Sequence, residues 1–316
     1  MIKINFNQEL FDLHFNTIKS ELDTLILQIC NDKKIVKKRK KSDGKFENYD
    51  YLLVSQIEID YLQKLDLNML LKAKFLKEII NELGEPTKNS DRYKLLFYIF
   101  VEKGYEKFFS QGKNEKDYSA YDFVEKLGLD TCPYCNRNYT FVVRRGKLRP
   151  EIDHFYPKTI YPYLAVNFFN LIPSCQTCNK TKSNDMNFDW INPYDIQKNS
   201  FKFTYEPNSV DFAIVEKKKY DFDSFEIKIN GDNQNNIELF KLDKLYKQHK
   251  DIVLELLIKK AYYPQSYIDE LSSSFGFSQD EVYRYLFSNY NQDDDLHKRP
   301  LSKLVRDISE ELGLLK

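Results

Sequence analysis

The 316-residue sequence predicts an α+β protein, mainly helical, with a compact cysteine-rich unit at its centre and a small β element after it. Three observations carry this prediction. Apolar residues recur at helical spacing through roughly the first 130 residues. The texture changes at Thr131, beyond which Cys, Asn, Pro and Tyr crowd together as far as Asp195. Two later stretches then alternate with period two, as half-buried strands do. The chain accordingly divides into a helical region 1–130, a central unit 131–196 and a mixed strand and helix region 197–316 expected to pack on that unit.

Each element has its own signal. Between Glu9 and Asn31, Phe11, Phe15, Ile18, Leu22, Leu25 and Ile29 follow one another at steps of four and three, one face of a helix. The basic run from Lys33 to Lys41 leads into Ser42-Asp43-Gly44 and reads as an exposed loop. Asp50–Leu83 reads as helical, stopping near Gly84-Glu85-Pro86; Ser90–Phe109 and Ser119–Leu127 supply two more helices. Phe201-Lys-Phe-Thr-Tyr205 and Phe225-Glu-Ile-Lys-Ile229 are the predicted strands, with a turn at Asn230-Gly231-Asp232. Helical patterning resumes over Ile237–Tyr262 and ends before Pro264. Ser278-Gln-Asp-Glu281 is a capping box that opens a helix through Phe287, and a last helix covers Leu301–Leu314.

Composition narrows the function. Hydrophobic residues make up 42% and aromatics 15%, enough for a packed core. Lys+Arg and Asp+Glu balance at 48 each, which excludes a uniformly basic nucleic-acid binder and confines any such contact to a local patch. No apolar run approaches the ~20 residues that span a bilayer, and Met1–Phe15 lacks the apolar core of a signal peptide; no membrane association and a cytoplasmic location are expected.

Of the five cysteines, Cys30 stands alone in an apolar helical stretch and reads as a buried, unreactive thiol. The others form two pairs, Cys132-Pro-Tyr-Cys135 and Cys175-Gln-Thr-Cys178. In a reducing compartment two C-x2-C pairs argue for metal before disulfide. Four thiolates close a tetrahedral Zn2+ site and leave no open position, so the implied zinc is structural. The competing reading is four unrelated buried thiols. Between the pairs sits Glu151-Ile-Asp153-His154-Phe-Tyr-Pro-Lys158, and Asn170-Leu-Ile-Pro-Ser174 precedes the second pair. An Asp that binds a hard divalent cation beside a neutral His that deprotonates water is a minimal device for cleaving a phosphodiester.

The stretch Cys132–Lys182 resembles the HNH, or ββα-metal, nuclease family in its four-cysteine form: C-x2-C, then D-H, then N-L-x3-C-x2-C-[H/N]-x2-K. The resemblance covers about fifty of the 316 residues. It implies that Asp153 is a ligand of a catalytic Mg2+ or Mn2+ and His154 the general base. Asn170 would fix the His154 ring and the loop between strands and helix. Asn179 would be the second protein ligand of the metal, where the family more often has His; an amide oxygen suits a hard cation. Lys182 would face phosphate. The wider text, C-P-Y-C-N-R and I-N-P-Y-D included, is similar to HNH nucleases of Septu-type anti-phage systems, which work with an ATPase partner.

The resulting expectation is an HNH endonuclease acting on nucleic acid, double-stranded DNA in particular. The alternative is a zinc-knuckle binding module, or a regulatory subunit of an ATPase-containing complex, with no cleavage activity of its own. Lys158, Arg137, Arg144, Arg145, Lys147 and Arg149 surround the motif and suit a phosphate backbone, although Arg144–Lys147 fits an ordinary solvated hairpin tip equally well. The Lys33–Lys41 run is either a DNA-contacting arm or a generic basic loop. Tyr156, Tyr161 and Tyr163 are expected to build local core rather than stack on bases, and Trp190 to pack beneath the unit. His14, His249 and His297 are assigned no chemistry.

Overall fold

The computed structural model describes every residue except 43, 112–117, 145–147, 184–188, 199, 209–221, 232, 264 and 315–316. The chain is mainly helical with small two-stranded sheets. It forms two compact units that do not follow the linear division: one holds 7–128 and 152–172, the other 1–6, 129–151 and 173–316.

The first of these, unit 2, opens with α1 (Gln8–Asp32), capped by the Asn7 side chain, which accepts from the Leu10 amide. Its buried face carries Phe11, Phe15, Ile18, Leu22 and Ile29, as the spacing predicts; Leu25 and Cys30 are only half-buried. The basic run is not a loop. It forms β1 (Lys34–Lys40), paired antiparallel with β2 (Phe46–Leu53), so the helix expected from Asp50 begins only after that strand. Three short helices follow: α2 (Gln56–Lys64), α3 (Leu67–Lys72) and α4 (Leu76–Leu83), each of the first two started by an Asx or Ser cap, Ser55 and Asp66. The predicted Ser90 helix runs as α5 (Asp91–Leu96) and continues in π-helical form over Phe97–Ser110. Then comes α6 (Ala120–Leu127), opened by the capping box of Ser119 and Asp122. The core of this unit is aromatic: the rings of Phe109, Tyr118, Phe123 and Phe168 surround His14 at 5.4, 5.7, 5.8 and 5.7 Å.

The central motif runs in ββα order. β3 (Glu151–His154) pairs with β4 (Leu171–Ser174), and α7 (Gln176–Lys182) follows with Cys175 as its N-cap. Tyr156, Tyr161 and Tyr163 lie buried at 4%, 6% and 1% exposure, core residues with no face to offer a base.

In unit 1 the predicted strands appear as β5 (Lys202–Pro207) and β6 (Phe225–Asn230), antiparallel and in continuous register from Lys202↔Asn230 to Pro207↔Phe225. Gly231 then passes so close to Ser200 that a Cβ would sit 2.1 Å from its carbonyl oxygen, which only glycine permits. The segment read as one helix from Ile237 is broken at Lys241, whose φ is 51°, into α8 (Gln234–Leu239) and α9 (Leu242–Tyr246); α10 (Lys250–Tyr262) follows. α11 (Gln265–Phe275) had no clear sequence signal. α12 (Gln279–Phe287) has both bonds of the Ser278–Glu281 capping box. The last helix, α13 (Ser302–Glu311), is buried from Ser302 to Ser309, its charged residues included.

No described helix is long and apolar enough to cross a membrane.

Candidate metal centre and candidate base

In unit 1 the sulfur atoms of Cys132, Cys135, Cys175 and Cys178 lie within 4.8 Å of one another, all buried, with Cys135 and Cys175 4.0 Å apart. A tetrahedron of sulfurs about 2.3 Å from a zinc ion has edges of about 3.8 Å, so small side-chain adjustments close the site. Both knuckles are built by their own backbone. The Cys132 amide bonds the Asn138 carbonyl at 2.9 Å and the Asn136 amide bonds the Cys132 carbonyl at 2.7 Å, turning the first pair back on itself. The second pair rides the start of α7, where consecutive Cys at i and i+3 face the same way. Donors also point at the sulfurs: Asn138 Nδ2 at 3.2 Å from Cys175 and the Arg137 amide at 3.4 Å from Cys135.

The electrostatics ask for a cation. Hydrogen bonding from Cys132 and its neighbours holds Cys175 far below the ordinary thiol range, and the bond with Cys132 lowers Cys135. The same crowding drives Cys178 far upward, while burial raises Cys132. Left to themselves the four cannot all ionise in one small volume; a divalent ion removes that conflict.

Asn136 ties this centre to the rest of unit 1. Its φ is 48°, in the left-handed region that Asn tolerates, and it is fully buried. Its Nδ2 donates to Thr131 Oγ1 at 2.9 Å and to the Leu296 carbonyl at 3.0 Å, while its Oδ1 accepts from the Lys303 amide at 3.0 Å. The Tyr246 hydroxyl donates to the Cys135 carbonyl at 2.6 Å, and Tyr134 stacks on Phe240 with centroids 4.4 Å apart.

The other expected residues of unit 1 have partners within it. Asn179 Nδ2 donates to Glu151 Oε2 at 2.5 Å, which fixes the amide so that its oxygen is the atom left for an ion. Lys182, expected to face phosphate, is instead 1% exposed, with its ammonium 5.7 Å over the Trp190 ring; Trp190 is buried as expected. Arg137 Nε donates to His249 Nε2 at 2.9 Å, and burial followed by the Arg137 charge lowers the His249 pKa, so this imidazole is a neutral acceptor. Val143 and Leu148 exchange backbone bonds of 2.8 and 3.1 Å; Arg145 and Lys147 lie outside the described residues.

In unit 2 the ring of His154 is held from two sides. Its Nε2 lies 2.9 Å from the Ala165 carbonyl, and Tyr105 packs edge-on with centroids 4.4 Å apart. A carbonyl only accepts, so the neutral imidazole carries its proton on Nε2 and its lone pair on Nδ1. Asn170 fixes the loop that leads to Ala165: its Oδ1 accepts from the Tyr156 amide at 2.7 Å, and its Nδ2 donates to the carbonyls of Tyr156 at 3.1 Å and Leu164 at 2.9 Å. Asp153 is buried at 5% exposure. Lys158 pairs with Glu106 at 2.8 Å and lies 4.6 Å over the Tyr105 ring.

Three contributors were not read from the sequence. Tyr105 looks like any core residue of its helix, and the Ala165 carbonyl has no sequence signature. Glu151 did have one: it stands two before Asp153, on the same face of β3 by period two.

A 32-residue segment of the chain is 56% identical to the Septu protein PtuB of Bacillus thuringiensis, covering 10% of this chain and 12% of that protein. No family model and no solved structure matches.

Proposed function

We propose that this protein is a metal-dependent endonuclease of the HNH type, hydrolysing phosphodiester bonds in DNA, and that it serves in anti-phage defence. The observation that carries the reading is the orientation of the His154 ring: its Nε2 lies 2.9 Å from the Ala165 carbonyl, which can only accept, so in the neutral ring Nδ1 bears the lone pair that a general base uses. In this mechanism Nδ1 removes a proton from a water as that water attacks phosphorus in line, and the 3′-oxygen departs. Asp153 and the Asn179 amide oxygen are the hard donors that the HNH resemblance implies for Mg2+ or Mn2+, an ion that would stabilise the charge developing on the phosphate. Asn170 preserves the position of the base through the loop it pins. The four cysteines, with a zinc ion, hold their unit together and take no part in the chemistry. The defence role rests on the match to a Septu protein; the proposed ATPase partner rests instead on the likeness of the motif's wider sequence to the HNH nucleases of Septu-type systems.

The experiment is nicking of supercoiled plasmid, with and without added Mg2+ or Mn2+. Cleavage should need the added metal and should vanish in Asp153→Ala. Undiminished cleavage by that variant, or cleavage without added metal, overturns the assignment.

A further inference from the structure

The basic run from Lys33 to Lys41 plays no part in the proposed chemistry, and the structure gives it a definite form. It is one strand of a two-stranded antiparallel ribbon that turns at Gly44, where φ is 82°. The two faces of the ribbon differ. One docks on its own unit: Ile35 and Leu52, paired across the strands, are 1% and 7% exposed, and the Lys37 ammonium lies 2.6 Å from Glu102 and 3.5 Å over the Tyr51 ring. The other face carries the pairs Val36↔Asp50, Lys38↔Asn48 and Lys40↔Phe46, all six residues exposed.

That outer face combines features that an ordinary solvated ribbon does not need. Phe46 is 69% exposed directly opposite Lys40, so a large apolar ring has been left in water between cations. Acidic residues answer several of the other charges, Lys34 through Asp50 at 3.2 Å, and Arg39 and Lys41 through Glu47 at 2.6 and 2.8 Å. No ion pair of this kind engages Lys38 or Lys40 among the described residues. In a chain whose charges balance overall, this is a concentrated cationic strip with an aromatic at its edge. A two-stranded ribbon is also one of the two elements that fit the major groove of B-DNA.

We infer that the outer face of the β1–β2 ribbon is a duplex-DNA contact surface, with Lys38 and Lys40 on phosphates and Phe46 against the groove wall. This rests on the reading of the chain as acting on DNA, but it concerns binding alone.

The test is a titration of the full-length protein against a labelled duplex of about 30 base pairs, without added Mg2+ or Mn2+, at several salt concentrations. For Lys38→Glu/Lys40→Glu, affinity should fall at least tenfold, and the slope of log K against log salt should shrink by about 2, since each phosphate contact contributes about 0.9. Phe46→Ala should weaken binding by a smaller factor with the slope unchanged. Lys64→Glu/Lys88→Glu, two exposed changes away from the ribbon, is the control matched in overall charge and should have little effect. Melting temperature and zinc content of each variant establish that it is folded; all of these positions are exposed. Wild-type affinity and slope in the double variant overturn the inference. So does binding that prefers single-stranded RNA or anionic phosphatidylserine vesicles to the duplex and is lost in the same variant. Plasmid nicking on the same preparations separates the two proposals: a protein that binds through this face yet never cuts leaves the inference standing and defeats the nuclease reading.

Discussion

At the centre of unit 2 a neutral histidine sits among aromatic rings, whereas unit 1 is organised around four thiols and a buried helix that carries charges. In unit 2, His14 has its Nε2 2.8 Å from the Val166 carbonyl and its Nδ1 2.9 Å from the Tyr118 hydroxyl, so the ring is satisfied without a charge. In unit 1, Lys303 lies 2.5 Å from Asp307, with Arg306 3.0 Å away and the Phe203 amide donating to the same carboxylate at 2.9 Å. Burial of rings stabilises by removing apolar surface from water and needs no outside component. A cluster of thiols and buried charges depends instead on an ion and on complete pairing. The lesson is that two units of one chain should fail under different insults.

The largest effect expected from that contrast is metal loss. Cys175→Ser, or removal of zinc by a strong chelator, should strip amide-exchange protection from the peptides of unit 1 while those around His14 and Phe168 keep theirs. Metal analysis of the wild type should find about one zinc per chain. A zinc-free protein with unit 1 protected would break the comparison.

Next comes the buried charge. Asp307→Asn leaves the buried Lys303 without its carboxylate, while Arg306 keeps Asp293 and Glu310, and should cost about 3–5 kcal/mol in denaturant unfolding of unit 1, with zinc retained. A loss under about 1 kcal/mol would mean that water reaches the group.

The smallest effect is acid sensitivity of unit 2. Burial pulls the His14 pKa down to about 4, with the Val166 bond opposing it. The unfolded chain, with an ordinary value of about 6.5, therefore binds the proton first. Stability is complete above about 6.5 and declines as pH falls toward about 4, by at most about 3.4 kcal/mol. Thermal melts of wild type and His14→Phe between those limits should show the slope in the former and a flatter profile in the latter. Equal slopes would remove His14 from the account.

Much of this organisation was legible in the sequence because it depends on spacing. The C-x2-C pairs, the buried face of α1 and the period-two strands β5 and β6 are short-range patterns that tertiary context left unchanged. The basic strand β1 was not legible. Four of its seven residues are lysines, which strands disfavour, and what makes it a strand is pairing with β2 and docking through Ile35, Leu52 and Lys37. The burial of Lys303, Arg306 and Asp307 likewise involves partners far along the chain, Asn136 and Phe203 among them, and the left-handed break at Lys241 has no sequence signal of its own. At the candidate base, the sequence picks out His154, but the carbonyl and ring that orient it come from Ala165 and Tyr105, which carry no signature.

The central claim is that His154 Nδ1 is the base, and the nicking rate of His154→Ala in Mg2+ or Mn2+ tests it most directly. A positioned general base is worth roughly a hundred- to ten-thousand-fold in rate. The account predicts a loss of that size in a variant that keeps its zinc, its fold and its affinity for DNA; a folded, DNA-binding variant that nicks at the wild-type rate contradicts it.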